Sequence, residues 1–187
     1  MGRLRLTCAL FVVASVQLAC SAPGAPAVVE VGVAAPKKSD GAGAEPLVGY
    51  DLRRLRPRAE EPLAAMFDRL RQQAVGEGKR AMVLFSADWC EPCRRLDAEL
   101  GNLQPRAAIG DVRIFELKEE DWQGATRMDE FNGLRRRWYE KLGSYPVLLL
   151  LDAEGAKVEE MKEAIERLEG AGVEATLANW LAGAAAS

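Results

Sequence analysis

The stretch from Ala81 to Leu96 constrains this chain more than any other. Ala81-Met82-Val83-Leu84-Phe85-Ser86-Ala87 is an apolar or small run, and Asp88-Trp89-Cys90-Glu91-Pro92-Cys93 follows it directly. An apolar run bounded by a polar turn predicts a buried strand. Pro92 followed by Arg94, Arg95, Leu96, Ala98, Glu99 and Leu100 predicts a helix opening. Cys90 then falls at a helix N-terminus, where unpaired backbone N–H groups and the positive end of the macrodipole favour a thiolate over a thiol. Cys90 is therefore the residue expected to attack. Cys93 lies about one turn further on and is expected to be the more buried. From there it can close a disulfide with Cys90 or resolve a mixed disulfide formed by it.

The pair has no other cysteine of the mature domain to serve. Of the 4 cysteines, Cys8 falls inside the N-terminal leader and Cys20 at its end, and the chain has 0 histidines. A structural zinc site needs about four ligands, and no second Cys-x-x-Cys exists. A c-type haem site needs His after the second cysteine, where Arg94 stands. No metal and no cofactor beyond a redox-active Cys90–Cys93 disulfide is expected. A purely structural bridge is the alternative, but so small a loop adds little stability by the chain-entropy argument.

Ala87-Asp88-Trp89-Cys90-Glu91-Pro92-Cys93 after an apolar strand resembles the active site of the thioredoxin superfamily. Gly143-Ser144-Tyr145-Pro146-Val147-Leu148-Leu149-Leu150-Leu151-Asp152-Ala153-Glu154-Gly155 resembles the same family's cis-proline loop, the strand after it and the following turn. The similarity spans roughly residues 60 to 185. It implies an α/β, thioredoxin-like fold with a central mixed β-sheet flanked by helices. It also implies a cis Tyr145–Pro146 bond facing the cysteines, with the Tyr145 backbone free to pair with a substrate strand. Trp89, Glu91, Pro92, Tyr145 and Pro146 become supporting active-site residues around the catalytic Cys90 and Cys93. The implied activity is thiol–disulfide exchange on protein disulfides, with an upstream electron donor or acceptor as second partner. Two positions depart from the family pattern: Leu84 stands where thioredoxins usually carry a buried acid, and Glu91 replaces the usual Gly between the cysteines.

The N-terminus reads as an export signal. Met1-Gly2-Arg3-Leu4-Arg5 is basic, and Leu6 to Ala19 is uncharged and too short to span a bilayer comfortably. Leu18-Ala19-Cys20-Ser21 resembles the end of a bacterial lipoprotein leader, which makes Cys20 the lipidation site. Gln17 departs from that motif, so ordinary cleavage after Ala22 is the alternative. The expected organisation is a signal peptide over 1–19, an Ala/Pro/Gly-rich linker and basic segment over 20–58, and a thioredoxin-like domain over 59–187. The protein is then exported to the periplasmic side of a bacterial membrane, lipid-anchored or soluble, and monomeric.

The formal net charge is −3, and losing Arg3 and Arg5 with the leader makes it more negative. That argues against nucleic acid as a partner. The clusters Arg53-Arg54-Leu55-Arg56-Pro57-Arg58 and Arg135-Arg136-Arg137 read as solvated faces, with a lipid-facing role conceivable for the first.

Around the motif, Leu63, Met66, Phe67, Leu70 and Ala74 predict an amphipathic helix ending at Gly76 and Gly78. Val112 to Leu117 predicts a second parallel strand, and Lys118 to Ala125 a loop extension able to border the active site. Met128, Phe131, Leu134, Trp138 and Leu142 predict a buried helical stripe running to Gly143. After Gly155 the helical spacing of Val158, Met161, Ile165 and Leu168 competes with the fold's need for a strand. The expectation is a short strand near 156–161, an undecided middle, and a closing helix over about 174–181. A second reading keeps the fold but makes the protein a lipid-anchored binding adaptor or redox sensor with little turnover.

Overall fold

The computed structural model describes residues 45–141 and 143–184. The leader, Cys20, most of the Ala/Pro/Gly-rich segment and Leu142 lie outside the described residues. Strand β3 (Arg80–Ser86) runs through the middle of a five-stranded sheet and is covered on both faces, so it is apolar along its length rather than alternating. On one side it pairs in parallel with β5 (Val112–Lys118), which pairs in parallel with the edge strand β2 (Asp51–Arg54). On the other side it pairs antiparallel with β6 (Val147–Leu151), which pairs antiparallel with the second edge, β7 (Lys157–Glu160). The sheet is therefore mixed, as expected. A separate two-stranded ladder joins β1 (Leu47–Val48) to β4 (Gln104–Pro105).

Because side chains alternate across a strand, β3 feeds two cores. Ala81, Val83 and Phe85 face Leu63, Met66 and Phe67 of α1 (Leu63–Gly76) and Phe131 and Leu134 of α5 (Met128–Arg135). Met82 and Leu84 face Leu96 and Leu100 of α2 (Glu91–Leu100) and Ile109 of α3 (Arg106–Ile109). In the same core lie Ala164 and Leu168 of α6 (Met161–Gly170) and Trp180 and Leu181 of α7 (Leu177–Ala184). Helices thus cover both faces of the sheet.

Four expectations are corrected. Lys118 to Ala125 is not a loop: Lys118 ends β5, and Glu119–Gly124 form a helix, α4, with Trp122 fully buried. Glu119, Glu120 and Asp121 fill its first turn, where carboxylates complement the helix dipole. The helix leading to Pro146 stops at Arg135. Trp138 still reaches the core from the segment beyond, edge-on to Phe67 at 5.8 Å and donating to the Gly155 carbonyl at 3.0 Å. In the C-terminal region both competing patterns are satisfied in succession, β7 giving way at Met161 to α6, and the last helix begins at Leu177 rather than near Glu174.

The fourth correction concerns the segment assigned to the linker and basic region, with a domain boundary at 59. Asp51–Arg54 is a sheet strand and Leu55 is buried in the core. Its charge suits an edge strand, where ionic side chains discourage further pairing. Asp51 accepts bonds from Lys79 at 2.5 Å, Arg113 at 2.9 Å and Arg53 at 2.8 Å. Arg54 binds Asp121 of α4 at 2.7 Å. The second arginine cluster divides: Arg137 pairs with Asp68 at 2.6 Å, whereas Arg135 is buried rather than solvated.

Two predictions follow from this packing. Trp122→Ala is expected to cost about 3–5 kcal/mol of stability, read from urea unfolding followed by circular dichroism. A loss under about 1 kcal/mol would contradict the core role of α4. Burial pushes the Asp51 carboxyl up, but Lys79, Arg113 and Arg53 together hold it at about 2 against an ordinary 3.8. The stability this contributes is complete above that ordinary value and is lost as pH falls through about 2. An acid titration of Asp51→Asn should therefore show a smaller fall in melting temperature below pH 4 than the parent shows.

Candidate active site

A short turn, 87–90, joins the end of β3 to the start of α2; Cys90 closes it as the helix cap and Cys93 lies in the first turn of the helix. The Cys90 N–H donates to the Ala87 carbonyl at 3.2 Å, which closes the turn. Cys90 is the N-cap of α2, with extended backbone angles, and its sulfur accepts the Cys93 N–H at 3.2 Å. Pro92 sits inside the first turn, where its missing N–H costs nothing. Cys90 and Cys93 form a disulfide with Cα atoms 5.3 Å apart. Cys90 is 4% exposed and Cys93 1%.

Opposite the disulfide, Tyr145–Pro146 is a cis peptide. Tyr145 packs against the small cluster of Ala87, Cys90 and Cys93. Trp89, 67% exposed, meets the Tyr145 ring edge-on with centroids 5.7 Å apart. Glu91 stands on the rim, largely exposed and paired with Arg95 at 3.3 Å. Such a pair is worth little in water, and it offsets the charge Glu91 would otherwise present to Cys90. Arg94 turns the other way and donates to the Asp88 carbonyl at 3.0 Å. Cys90, Cys93, Trp89, Pro92, Tyr145 and Pro146 are thus brought together, Glu91 lies at the margin, and Cys20 is outside the described residues.

Charged side chains that the sequence reading did not assign to the site frame it. Lys118, at the end of β5, donates to Asp88 at 2.9 Å and Asp97 at 3.1 Å and lies 3.9 Å from Glu116. One largely buried ammonium therefore ties the turn before Cys90 to α2 and to the sheet. Its hydrogen bond is the main reason the Asp88 carboxyl is held below the ordinary range. Glu116 is 4% exposed and sits directly across the ladder from Leu84. Burial pushes its carboxyl up; Lys118 and Arg54 pull it down, and Asp97 adds to the rise.

Helix α4 closes the other side. Glu120 accepts the Asp88 N–H at 2.8 Å, two residues before Cys90. The Tyr145 hydroxyl is pushed up, first by burial and then by the charge of Glu119. Arg135, at the end of α5, donates to the carbonyls of Gly143 at 2.7 Å and Ser144 at 3.3 Å, and its guanidinium lies 4.6 Å over the Tyr145 ring. Signals for these residues existed: Glu116 falls between the apolar Phe115 and Leu117 of the strand, and Arg135 falls four residues after Phe131 on the helix that carries the buried stripe. Among the described residues no group of three or more His, Cys, Asp or Glu could hold a metal ion.

A family model described as a thioredoxin-like domain matches residues 67–180. Among solved structures the chain is similar to a poplar thioredoxin h at 14% identity, over 59% of this chain and 81% of that one, with a TM-score of 0.41. It is similar to a disulphide isomerase from Xylella fastidiosa Temecula1 at 16% identity, over 70% and 98%, with a TM-score of 0.43. The oxidised C-terminal domain of Neisseria meningitidis DsbD matches at 23% identity, over 52% and 80%, with a TM-score of 0.39. No curated protein matches by sequence. The family match takes in α2 with its disulfide, four of the five strands of the mixed sheet and the cis-proline loop, and the chain belongs to the thioredoxin-like family.

Proposed function

We propose that this protein is a thiol–disulfide oxidoreductase that works on protein disulfides outside the cytoplasm through Cys90 and Cys93. The observation that carries the reading is the disulfide at the N-cap of α2, packed against Tyr145 of the cis-proline loop. In the reducing direction the Cys90 thiolate attacks one sulfur of a substrate disulfide. A Cys90–substrate bond forms, and the other substrate sulfur leaves as a thiolate and takes up a proton. Cys93, having lost its proton, then attacks the Cys90 sulfur. This re-forms the Cys90–Cys93 disulfide and releases the second substrate thiol. Two electrons pass from the cysteine pair to the substrate, and an upstream dithiol must restore them; the same steps run backwards oxidise a dithiol substrate.

Residues around the pair divide the work. The orphan N–H groups of α2 favour charge on Cys90. Tyr145 and Pro146 hold the substrate backbone beside it, and Trp89 supplies exposed apolar surface at the edge. Glu116 is assigned the proton-holding role left vacant at Leu84, since it is the buried carboxylate on the adjoining strand at the same level. Export and anchoring through Cys20 rest on the leader residues; no helix among the described residues is long and apolar enough to cross a membrane. The adaptor reading draws on one observation, the slight exposure of Cys90 in the oxidised state.

Reduction of a disulfide-bonded protein such as insulin separates the two readings. Cys90→Ala should lower the rate about a thousandfold or more, and Cys93→Ala should accumulate a mixed disulfide on Cys90. A parent protein no faster than free dithiol would favour the adaptor.

Glu116 adds a prediction with two arms. The folded chain holds the Glu116 proton more tightly than the unfolded chain, so stability declines as pH rises above the ordinary value of 4.5. Glu116→Gln should accordingly be more stable than the parent at pH 7, with the difference shrinking below about pH 4. It should also slow resolution of the mixed disulfide while leaving its formation unaltered. Urea midpoints at both pH values and quenched-flow trapping check the two arms.

A further inference from the structure

Arg135 is 3% exposed, and among the described residues it has no carboxylate partner. One of its guanidinium nitrogens, Nε, is buried with no partner at all. Burying a cation in this way is costly, and an apolar side chain of similar volume would pack the same space at lower cost. The contribution particular to a guanidinium is the set of contacts it makes. A single nitrogen, Nη2, donates to two successive carbonyls, those of Gly143 and Ser144, while the guanidinium plane lies over the ring of the next residue, Tyr145. Three consecutive residues ahead of Pro146 are thereby held by one side chain.

The same ring is gripped from other directions. Phe131, one turn earlier on α5, meets Tyr145 at 6.5 Å, Trp89 meets it at 5.7 Å, and the Cys90–Cys93 cluster packs against it. We propose that Arg135 is a positioning residue for disulfide exchange, clamping the segment from Gly143 to Tyr145 so that the backbone ahead of Pro146 is presented beside the sulfurs to an extended peptide partner. The proposal rests on the oxidoreductase reading. It adds that α5, remote in sequence from both cysteines, sets the alignment of a peptide substrate but contributes little to reaction with a disulfide that has no backbone to pair.

The full chain, reduced and freed of excess dithiol, is assayed with insulin and with hydroxyethyl disulfide for the parent, Arg135→Met and Arg135→Lys, with folding monitored by circular dichroism. Arg135→Met is expected to lose about tenfold more kcat/KM toward insulin than toward the small disulfide, chiefly through KM. Arg135→Lys, which keeps the charge over Tyr145 and one carbonyl bond, should show a selective loss of about threefold. Equal losses on both substrates, or none, would overturn the proposal. If Arg135→Met does not fold, the lysine variant decides by the same criterion. A parent protein that reduces neither substrate overturns the oxidoreductase reading itself, a result distinct from a parent active on both whose variants show no selectivity.

Discussion

The cap of α2 is the interaction on which the rest of the structure depends. Cys90 ends the turn out of the central strand, begins the helix, and accepts the Cys93 N–H on its own sulfur. A neutral sulfur is a weak acceptor; a thiolate in the same place is a strong one, because a charged acceptor strengthens the bond and answers the helix dipole. Reduction to a Cys90 thiolate would exchange the covalent link to Cys93 for a better capped helix. The arrangement is possible because β3 is fixed on both sides, by β5 over its full length and by β6 over most of it, so its end delivers the turn to one place.

Around that cap the protein carries charges that a purely structural core would not. Lys118 is nearly enclosed by Asp88, Asp97 and Glu116, and Arg135 lies beneath Tyr145 without a carboxylate among the described residues. Buried ions of this kind are weak evidence for stability, since their desolvation offsets most of the attraction. Their positions are what distinguish them. Lys118 holds the turn on one side of the disulfide, and Arg135 holds the cis-proline loop on the other. The scaffold away from the site is conventional by comparison, with aromatic contacts such as Phe85 on Phe131 and Phe67 on Phe115 filling the core beneath α1 and α5.

Sequence patterns carried the centre of the fold well and its margins poorly. The strand into Cys90 and the strand after Pro146 were legible as apolar runs with clear breaks, and the helix from Leu63 by the helical spacing of its apolar residues. The strand Asp51–Arg54 was not, because an edge strand needs few apolar side chains and its charges look like linker. Helix α4 was missed because it is short and its acidic first turn resembles a solvated loop; only Trp122 betrays its burial. Arg135 was hidden inside a run of three arginines whose other members face water or an acid. What reaches beyond local pattern is a partner in another segment: Arg113 for Asp51, Arg54 for Asp121, and the Tyr145 ring, past the end of the helix, for Arg135.

The role proposed for Glu116 puts a residue from a neighbouring strand in the place of a local one at Leu84. In the parallel ladder Leu84 and Glu116 are opposite one another and lie on the same face of the sheet, on neighbouring strands about 4.8 Å apart. Moving a carboxylate from one strand to the next shifts its backbone by that spacing, and glutamate recovers part of the distance with one more methylene than aspartate. The new position also changes its company. On β5 the carboxylate is two residues from Lys118, so its charge is shared with the ammonium that holds Asp88 and Asp97. A proton gained or lost at Glu116 is therefore felt by the turn before Cys90 as well as by α2. In the proposed role, Glu116 and the turn before Cys90 share one ammonium, an arrangement that a lone acid on β3 would not provide.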